Sequence, residues 1–275
     1  MAGFLTEMAK SSLARVTEAK GRAPEAALWA RANEAPPPPP LKLSDAGFDI
    51  IAELKLNSPA QGQLGAQSDD LEGRVVQYAD GGAAAVSVLT EPTRFDGSME
   101  HLERSARALA PHGVPTMRKD FLFDPYQVVE ARVAGAAGVL VILRMIDRRR
   151  IVELVDCAAM LKLFVLLEGF DADDLALGAD IVAERKSHDE TLLLGVNARN
   201  LDTLQVVPDR LKELAPKLAA GVPHVAESGV GTADDAAALA RVGYRLALVG
   251  TALMSTPNPK ALIAEMLAAA RRAKE

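Results

Sequence analysis

From Phe48 onward the chain alternates between short, nearly continuous apolar runs and longer stretches whose apolar residues recur at helical spacing. The short runs predict strands at 48–55 (FDIIAELK), 84–89 (AAVSVL), 114–119 (VPTMRK), 138–143 (GVLVIL), 163–168 (LFVLLE), 192–197 (LLLGVN), 223–227 (PHVAE) and 245–249 (RLALV). The longer stretches predict helices at 69–79, 98–110, 125–135, 148–160, 172–184, 208–218, 232–242 and 258–272. A strand that reads as one apolar run is buried on both faces, as in a parallel sheet covered by helices. Eight strand–helix pairs in about 230 residues fit an α/β fold, a closed (β/α)8 TIM barrel, better than an open doubly wound sheet.

The segment before Phe48 is different. Residues 3–33 carry apolar side chains at mixed helical spacing (Phe4, Leu5, Met8, Leu13, Val16), which predicts one or two amphipathic helices. Five prolines follow at 36–40. Such a run lacks backbone donors and favours an extended, semi-rigid path. The expected organisation is an N-terminal helical extension with a Pro-rich linker (1–46) and a barrel (47–275). The extension can cap the barrel bottom or lie as a lid over the ligand, and the pattern does not choose between them.

Composition narrows the function. Lys and Arg total 31 against 37 Asp and Glu, a net charge of −6. That balance disfavours generic nucleic-acid or anionic-membrane binding but leaves room for one small phosphate pocket. Cys157 is the sole cysteine, so no internal disulfide or cysteine zinc site can form. His101, His112, His188 and His224 show no ligand spacing, and no metal is expected. The longest apolar run, Val133 to Leu143, stops at Arg144, short of the roughly 18 residues a membrane span needs. The opening MAGFLTEMAKSS has no signal-peptide core, so a soluble, cytoplasmic protein is expected, a monomer or weak homo-oligomer.

Ionisable residues cluster where the predicted strands end, which in this architecture is the mouth of the barrel. The first strand ends Glu53-Leu54-Lys55, the third Arg118-Lys119-Asp120, the fifth in Glu168, the sixth in Asn197 with Arg199 beyond, and the seventh in Glu227-Ser228. Alternation sends Glu53 and Lys55 to one side and Leu54 to the other. Any one such charge could be a structural ion pair. Two lysines and three glutamates around one rim are costly to desolvate unless they compensate one another, and they suit proton transfer. After the seventh strand comes Ser228-Gly229-Val230-Gly231-Thr232, and after the eighth Gly250-Thr251. Glycines let backbone N–H groups approach an oxyanion, and these loops form the usual phosphate cradle in barrels. Cys157 reads as a core thiol, His224 as a packed side chain, and 184–190 as a solvated charged loop.

With these residues in place, the chain resembles indole-3-glycerol-phosphate synthase. The resemblance rests on IAELKLNSPAQG (51–62), VSVLTEPTRFDGSMEHL (86–102), MRKDFLFDPYQVVEARVAGAAGVLVIL (117–143), GVNARNLDTLQV (195–206), AESGVGTADDAAALARVG (226–243) and LVGTALM (248–254). It implies a phosphorylated small-molecule substrate, carboxyphenylamino-deoxyribulose phosphate, closed to an indole with loss of carbon dioxide and water, without metal or cofactor. It further implies Lys119 as the general acid on the substrate carbonyl oxygen, Lys55 as a second amine near the ring, and Glu168 as the base for dehydration. Glu53 and Glu227 are implied to stabilise cationic intermediates, and Asn197 to position by hydrogen bonding. Ser58, Arg199, Ser228, Gly229, Gly250 and Thr251 are implied as phosphate and substrate contacts.

The departures from that family fall in three places, one of them the stretch from Asp171 to Leu194, which holds the charged loop and is several residues longer than usual. Leu56, Ala60 and Gln61 replace polar or basic residues after the first strand, and Gly169-Phe170 replace Val-His after Glu168. They leave open a paralogue that closes a modified anthranilate-derived substrate, or a non-catalytic phosphometabolite-binding barrel.

Overall fold

The computed structural model describes residues 3–58, 62–63, 70–185 and 190–274, the side chains of 58, 62 and 63 excepted. Eight parallel strands close into a barrel: β1 (Asp49–Leu54), β2 (Ala85–Leu89), β3 (Thr116–Lys119), β4 (Gly138–Ile142), β5 (Phe164–Gly169), β6 (Leu192–Asn197), β7 (His224–Glu227) and β8 (Leu246–Val249). Each pairs with its sequence neighbour, and β1 closes the ring on β8 with Asp49 opposite Leu246. Closure leaves the barrel no open edge.

Alternation splits each strand between two cores. Ile51, Met117, Leu140, Phe164, Leu166, Leu193, Val225 and Leu246 fill the barrel interior. Ile50, Ala52, Leu54, Val86, Val139, Val165 and Ala247 face the helices in the larger outer core. Leu54 therefore points outward between Glu53 and Lys55, as the pattern predicts.

The helical layer comprises α1 (Phe4–Arg22), α2 (Glu25–Glu34), α3 (Leu71–Asp80), α4 (Met99–Leu109), α5 (Pro125–Val133), α6 (Arg148–Met160), α7 (Ala172–Glu184), α8 (Arg210–Leu214), α9 (Ala233–Arg241) and α10 (Pro259–Arg272). Several of these helices start on a side-chain cap, Asp124 and Thr232 in full capping boxes. The helix expected over 208–218 is shorter: α8 ends at Leu214 and a 3-10 turn (Ala215–Lys217) follows. Pro216 removes the amide donor that a longer α-helix would need there. Within the charged 184–190 segment, Arg185 is not simply solvated. It is largely buried against Glu190 (2.6 Å) and Asp156 (2.7 Å), while 186–189 lie outside the described residues.

The leader resolves the open question of its place. α1 lies across the C-terminal ends of the strands: Phe4 packs edge-on against Phe121 at 5.7 Å, and Arg15 reaches Asp120 at 2.7 Å. Past α2 the chain descends, and Leu41 and Leu43 close the interior core near the opposite ends of the strands. One leader thus covers the mouth with its helix and the bottom with its tail. No helix among the described residues is long and apolar enough to cross a membrane.

His224 on β7 is buried, faces away from the interior residue Val225, and leaves Nε2 without a hydrogen-bond partner among the described residues. Burial pushes its imidazole down to about 4. Because the unfolded chain then binds a proton the native state refuses, stability rises with pH between these two values and is lost as pH falls below about 6.5. Acidification from pH 7 to 5 is expected to remove about 2 kcal/mol through this residue. Urea unfolding of His224→Leu checks it: the variant should lose clearly less stability over that interval than the parent.

Candidate active site

The interior opens at the strand C-termini into a cavity of about 510 Å³, within the range of small-molecule sites. Its floor and walls hold Glu53, Lys55, Lys119, Glu168, Asn197, Arg199, Ser228, Gly229, Gly250 and Thr251. Glu227 is fully buried just behind them, opposite Asn197 in the strand register. Of the residues expected at the site, Ser58 alone cannot be placed, because its side chain lies outside the described residues.

Glu53 is the hub. One carboxylate oxygen accepts from Lys119 Nζ at 2.9 Å, and the other lies 3.0 Å from Lys55 Nζ. Lys119 Nζ also sits 3.5 Å from Glu227 Oε2. Asn197 donates from Nδ2 to Glu168 Oε1, while its own Oδ1 accepts the Arg199 backbone N–H at 2.8 Å. Two inward glycines make room for this charge. A Cβ at Gly250 would come within 2.3 Å of Glu53 Oε1, and one at Gly195 within 2.2 Å of Glu227 Oε1. Gly195 is a glycine at an inward position of a buried strand, the pattern that marks a close approach of backbone or a polar group.

Mutual compensation sets the protonation states. Burial pushes Glu53 up, but the Lys119 and Lys55 ammoniums outweigh it and hold the carboxyl down at about 2. Burial also works against the Lys119 ammonium, yet Glu53, Glu227 and Glu168 hold its pKa above the ordinary lysine value. Glu168 is raised chiefly by burial. Glu227 is pushed up to about 8 by burial and by Glu168, with the Lys119 ammonium at 3.5 Å pulling the other way. At neutral pH the site therefore holds a charged amine, an ionised hub and two carboxyls held above the ordinary carboxylate range, which is a set fit for donating and accepting protons.

At the far end of the cavity the backbone turns sharply. Ser228 and Gly229 both take positive φ, 68° and 78°. For serine that is a strained conformation of the kind held at ligand sites, and at Gly229 a Cβ would also meet Val206 at 3.0 Å. Gly250 precedes the short helical turn Thr251–Ser255. One expectation needs correction here. The amides of Gly231 and Thr232 do not await an anion, because Asp235 Oδ2 already accepts both at 2.9 Å. An anion at this end is left to the Ser228–Gly229 turn, Gly250–Thr251 and the Arg199 side chain.

The opposite wall is apolar and was not foreseen. Phe4, Phe95, Phe121 and Leu201 line it, drawn from α1 and three loops. Phe95 and Phe121 lie 6.2 Å apart. The departure at Gly169-Phe170 also finds a packing reason. A Cβ at 169 would meet Asp174 at 2.8 Å, the Phe170 N–H donates to Asp174 at 2.8 Å, and the Arg144 guanidinium stacks 4.7 Å from the Phe170 ring. Cys157 is a buried core thiol, pushed up to about 12 by burial.

Comparison with known proteins follows the same lines. The family model described as indole-3-glycerol phosphate synthase matches residues 5–266. An indole-3-glycerol phosphate synthase of a Nocardioides species is 42% identical over 225 residues, 80% of this chain and 80% of its own. That of Leifsonia xyli subsp. xyli is 40% identical over 236 residues, 85% and 86% of the two chains. Among solved structures, thiamine phosphate pyrophosphorylase from Pyrococcus furiosus superposes with a TM-score of 0.58 at 13% identity, covering 83% of this chain and 98% of its own. That likeness bears on the fold alone.

Proposed function

The chain belongs to the indole-3-glycerol phosphate synthase family, and on that premise we propose that it closes the indole ring of 1-(2-carboxyphenylamino)-1-deoxyribulose 5-phosphate. The products are indole-3-glycerol phosphate, carbon dioxide and water, which makes it a carboxy-lyase of tryptophan biosynthesis. The observation that carries the reading is the charge cluster of Lys119, Glu53 and Lys55, set between an aromatic wall and a glycine turn in one cavity. The wall suits the anthranilate ring, and the turn with Arg199 suits the phosphate.

The Lys119 ammonium donates its proton to the substrate carbonyl oxygen as the aromatic carbon attacks the carbonyl carbon. Carbon dioxide then leaves from that ring carbon, and the bonding pair returns to the ring. The new hydroxyl takes a proton from Lys55 and departs as water, while Glu168 takes a proton from the adjoining methylene carbon beside the nitrogen, which leaves the indole double bond. Glu53 holds both ammoniums in register, and Glu227 lies ready to offset cationic charge as it develops. Asn197 fixes Glu168. The same reading sets the enzyme in the cytoplasm.

The purified protein, given this substrate without added metal, is expected to produce the rise in absorbance and fluorescence of an indole. Saturating substrate that binds but yields no indole would sink the reading and leave a binding barrel or an enzyme for an altered ring.

A further inference from the structure

We propose that Arg15 of the leader helix is a positioning residue for Lys119, acting through Asp120, so that α1 belongs to the acid-catalytic apparatus and is not a cover alone. The inference rests on Lys119 being the general acid.

Asp120 directly follows Lys119, and its side chain has no exposure. Its Oδ1 accepts from Arg15 Nη2 at 2.7 Å and from the Phe121 N–H at 2.8 Å. Its Oδ2 accepts from Arg15 Nη1 at 2.8 Å, Thr90 Oγ1 at 2.7 Å and Arg118 Nη2 at 3.1 Å. Thr90 also donates its backbone N–H to the Lys119 carbonyl at 3.1 Å. The peptide between Lys119 and Asp120 is thus gripped from both sides, which fixes the point from which the lysine side chain departs.

Charge makes Arg15 necessary to that grip. Arg118 is shared with Glu130 at 3.2 Å and with the Gln127 carbonyl at 2.8 Å, so it compensates Asp120 only in part. The two-pronged contact from Arg15 supplies the rest and fixes the plane of the carboxylate. The leader does not need this contact merely to stay in place. Lys20 reaches Asp124 at 3.0 Å, Gln127 donates to Ser12 at 2.9 Å, and the Tyr126 hydroxyl donates towards the carbonyls of Ala19 and Ala23. What Arg15 alone does is join the helix to the residue beside the acid, and it does so with its own buried Nε left unpaired among the described residues.

The test is steady-state kinetics of Arg15→Met and Arg15→Lys in the full chain, beside Lys119→Met and Glu7→Ala. A misplaced acid lowers turnover more than binding, so Arg15→Met should lose about 10- to 100-fold in kcat at a KM within about threefold of wild type. Arg15→Lys keeps the charge without the fork and should recover part of the loss. Glu7→Ala, which cuts the exposed pair of the same helix with Arg94 (2.6 Å), should leave kcat unchanged. An Arg15→Met kcat within twofold of wild type, or a loss confined to KM, overturns the proposal. Should Arg15→Met fail to fold, Arg15→Lys decides: reduced kcat at unchanged KM supports it, and wild-type kcat overturns it. Turnover surviving in Lys119→Met overturns the general-acid assignment and this inference with it. An inert Lys119→Met beside an unimpaired Arg15→Met overturns the inference only.

Discussion

Lys119→Met is expected to lower kcat for ring closure by about 10³-fold, the middle of the range for losing a general acid. The substitution keeps the length and apolar stem of the side chain, so the cavity stays filled and KM should move much less than kcat. It removes the one ammonium that contacts both Glu53 and Glu227. Lys55, 3.0 Å from Glu53, still neutralises the hub, so the fold survives the change. Lys119→Arg separates proton donation from simple charge. A guanidinium keeps the positive charge but does not give up its proton. If the lysine acts as an acid, Lys119→Arg should therefore be nearly as slow as Lys119→Met. Rates of either variant within tenfold of wild type would remove Lys119 from the proposed role.

The reason so much of the barrel could be read from the chain is that parallel strands buried on both faces leave a run no polar stretch can imitate. The apolar runs placed β5 and β6 to within a residue at each end. Where the prediction failed, a local cause outweighed periodicity. The apolar spacing over 208–218 is helical, but a proline inside it ends the α-helix. The charged rim was legible for a related reason: Glu168 and Glu227 end runs otherwise free of charged residues, and Glu53 and Lys119 stand at the close of theirs beside Lys55 and Arg118. Their common inward direction follows from a period of two and needs no tertiary information.

What could not be read is whatever depends on contact between distant segments. The helical spacing of Phe4, Met8 and Val16 shows that α1 buries a face, not which surface it covers. Arg15 and Asp120 are separated by 105 positions, and neither residue type announces a partner. The aromatic wall is invisible for the same reason, since Phe4, Phe95 and Phe121 are single residues in unrelated segments until the barrel closes. Asp235 shows the reverse error. The loop from Ser228 to Thr232 reads as open to an oxyanion along its length, but a capping carboxylate four residues on from Gly231 already occupies the Gly231 and Thr232 amides.

The tract from Lys119 to Gln127 gains a physical explanation once these contacts are set side by side. Lys119 enters the cavity, Asp120 takes Arg15, and Phe121 meets Phe4. Asp124 and Gln127 then cap α5. Six of its nine side chains, Lys119, Asp120, Phe121, Asp124, Tyr126 and Gln127, thus meet the cavity or the leader.

Glu168→Gln should be the second costly change, with kcat lower by about 10²- to 10³-fold if Glu168 is the base of the dehydration step. Glutamine keeps the volume and can still meet Asn197, so a loss of this size measures the missing basic oxygen and not a lost contact. The pH profile carries the stronger test. A base works deprotonated, so wild-type kcat should rise with pH through the Glu168 pKa, and burial sets that limb above the usual carboxylate range. The hydrogen bond from Asn197 pulls in the opposite direction, stabilising the anion. Its removal in Asn197→Ala should therefore push the acid limb to still higher pH. In Glu168→Gln the limb should disappear and leave a low rate insensitive to pH over the same interval. An acid limb that stays in place in both variants would assign the titration to another group, Glu227 first among them, since burial and Glu168 push that carboxyl up to about 8.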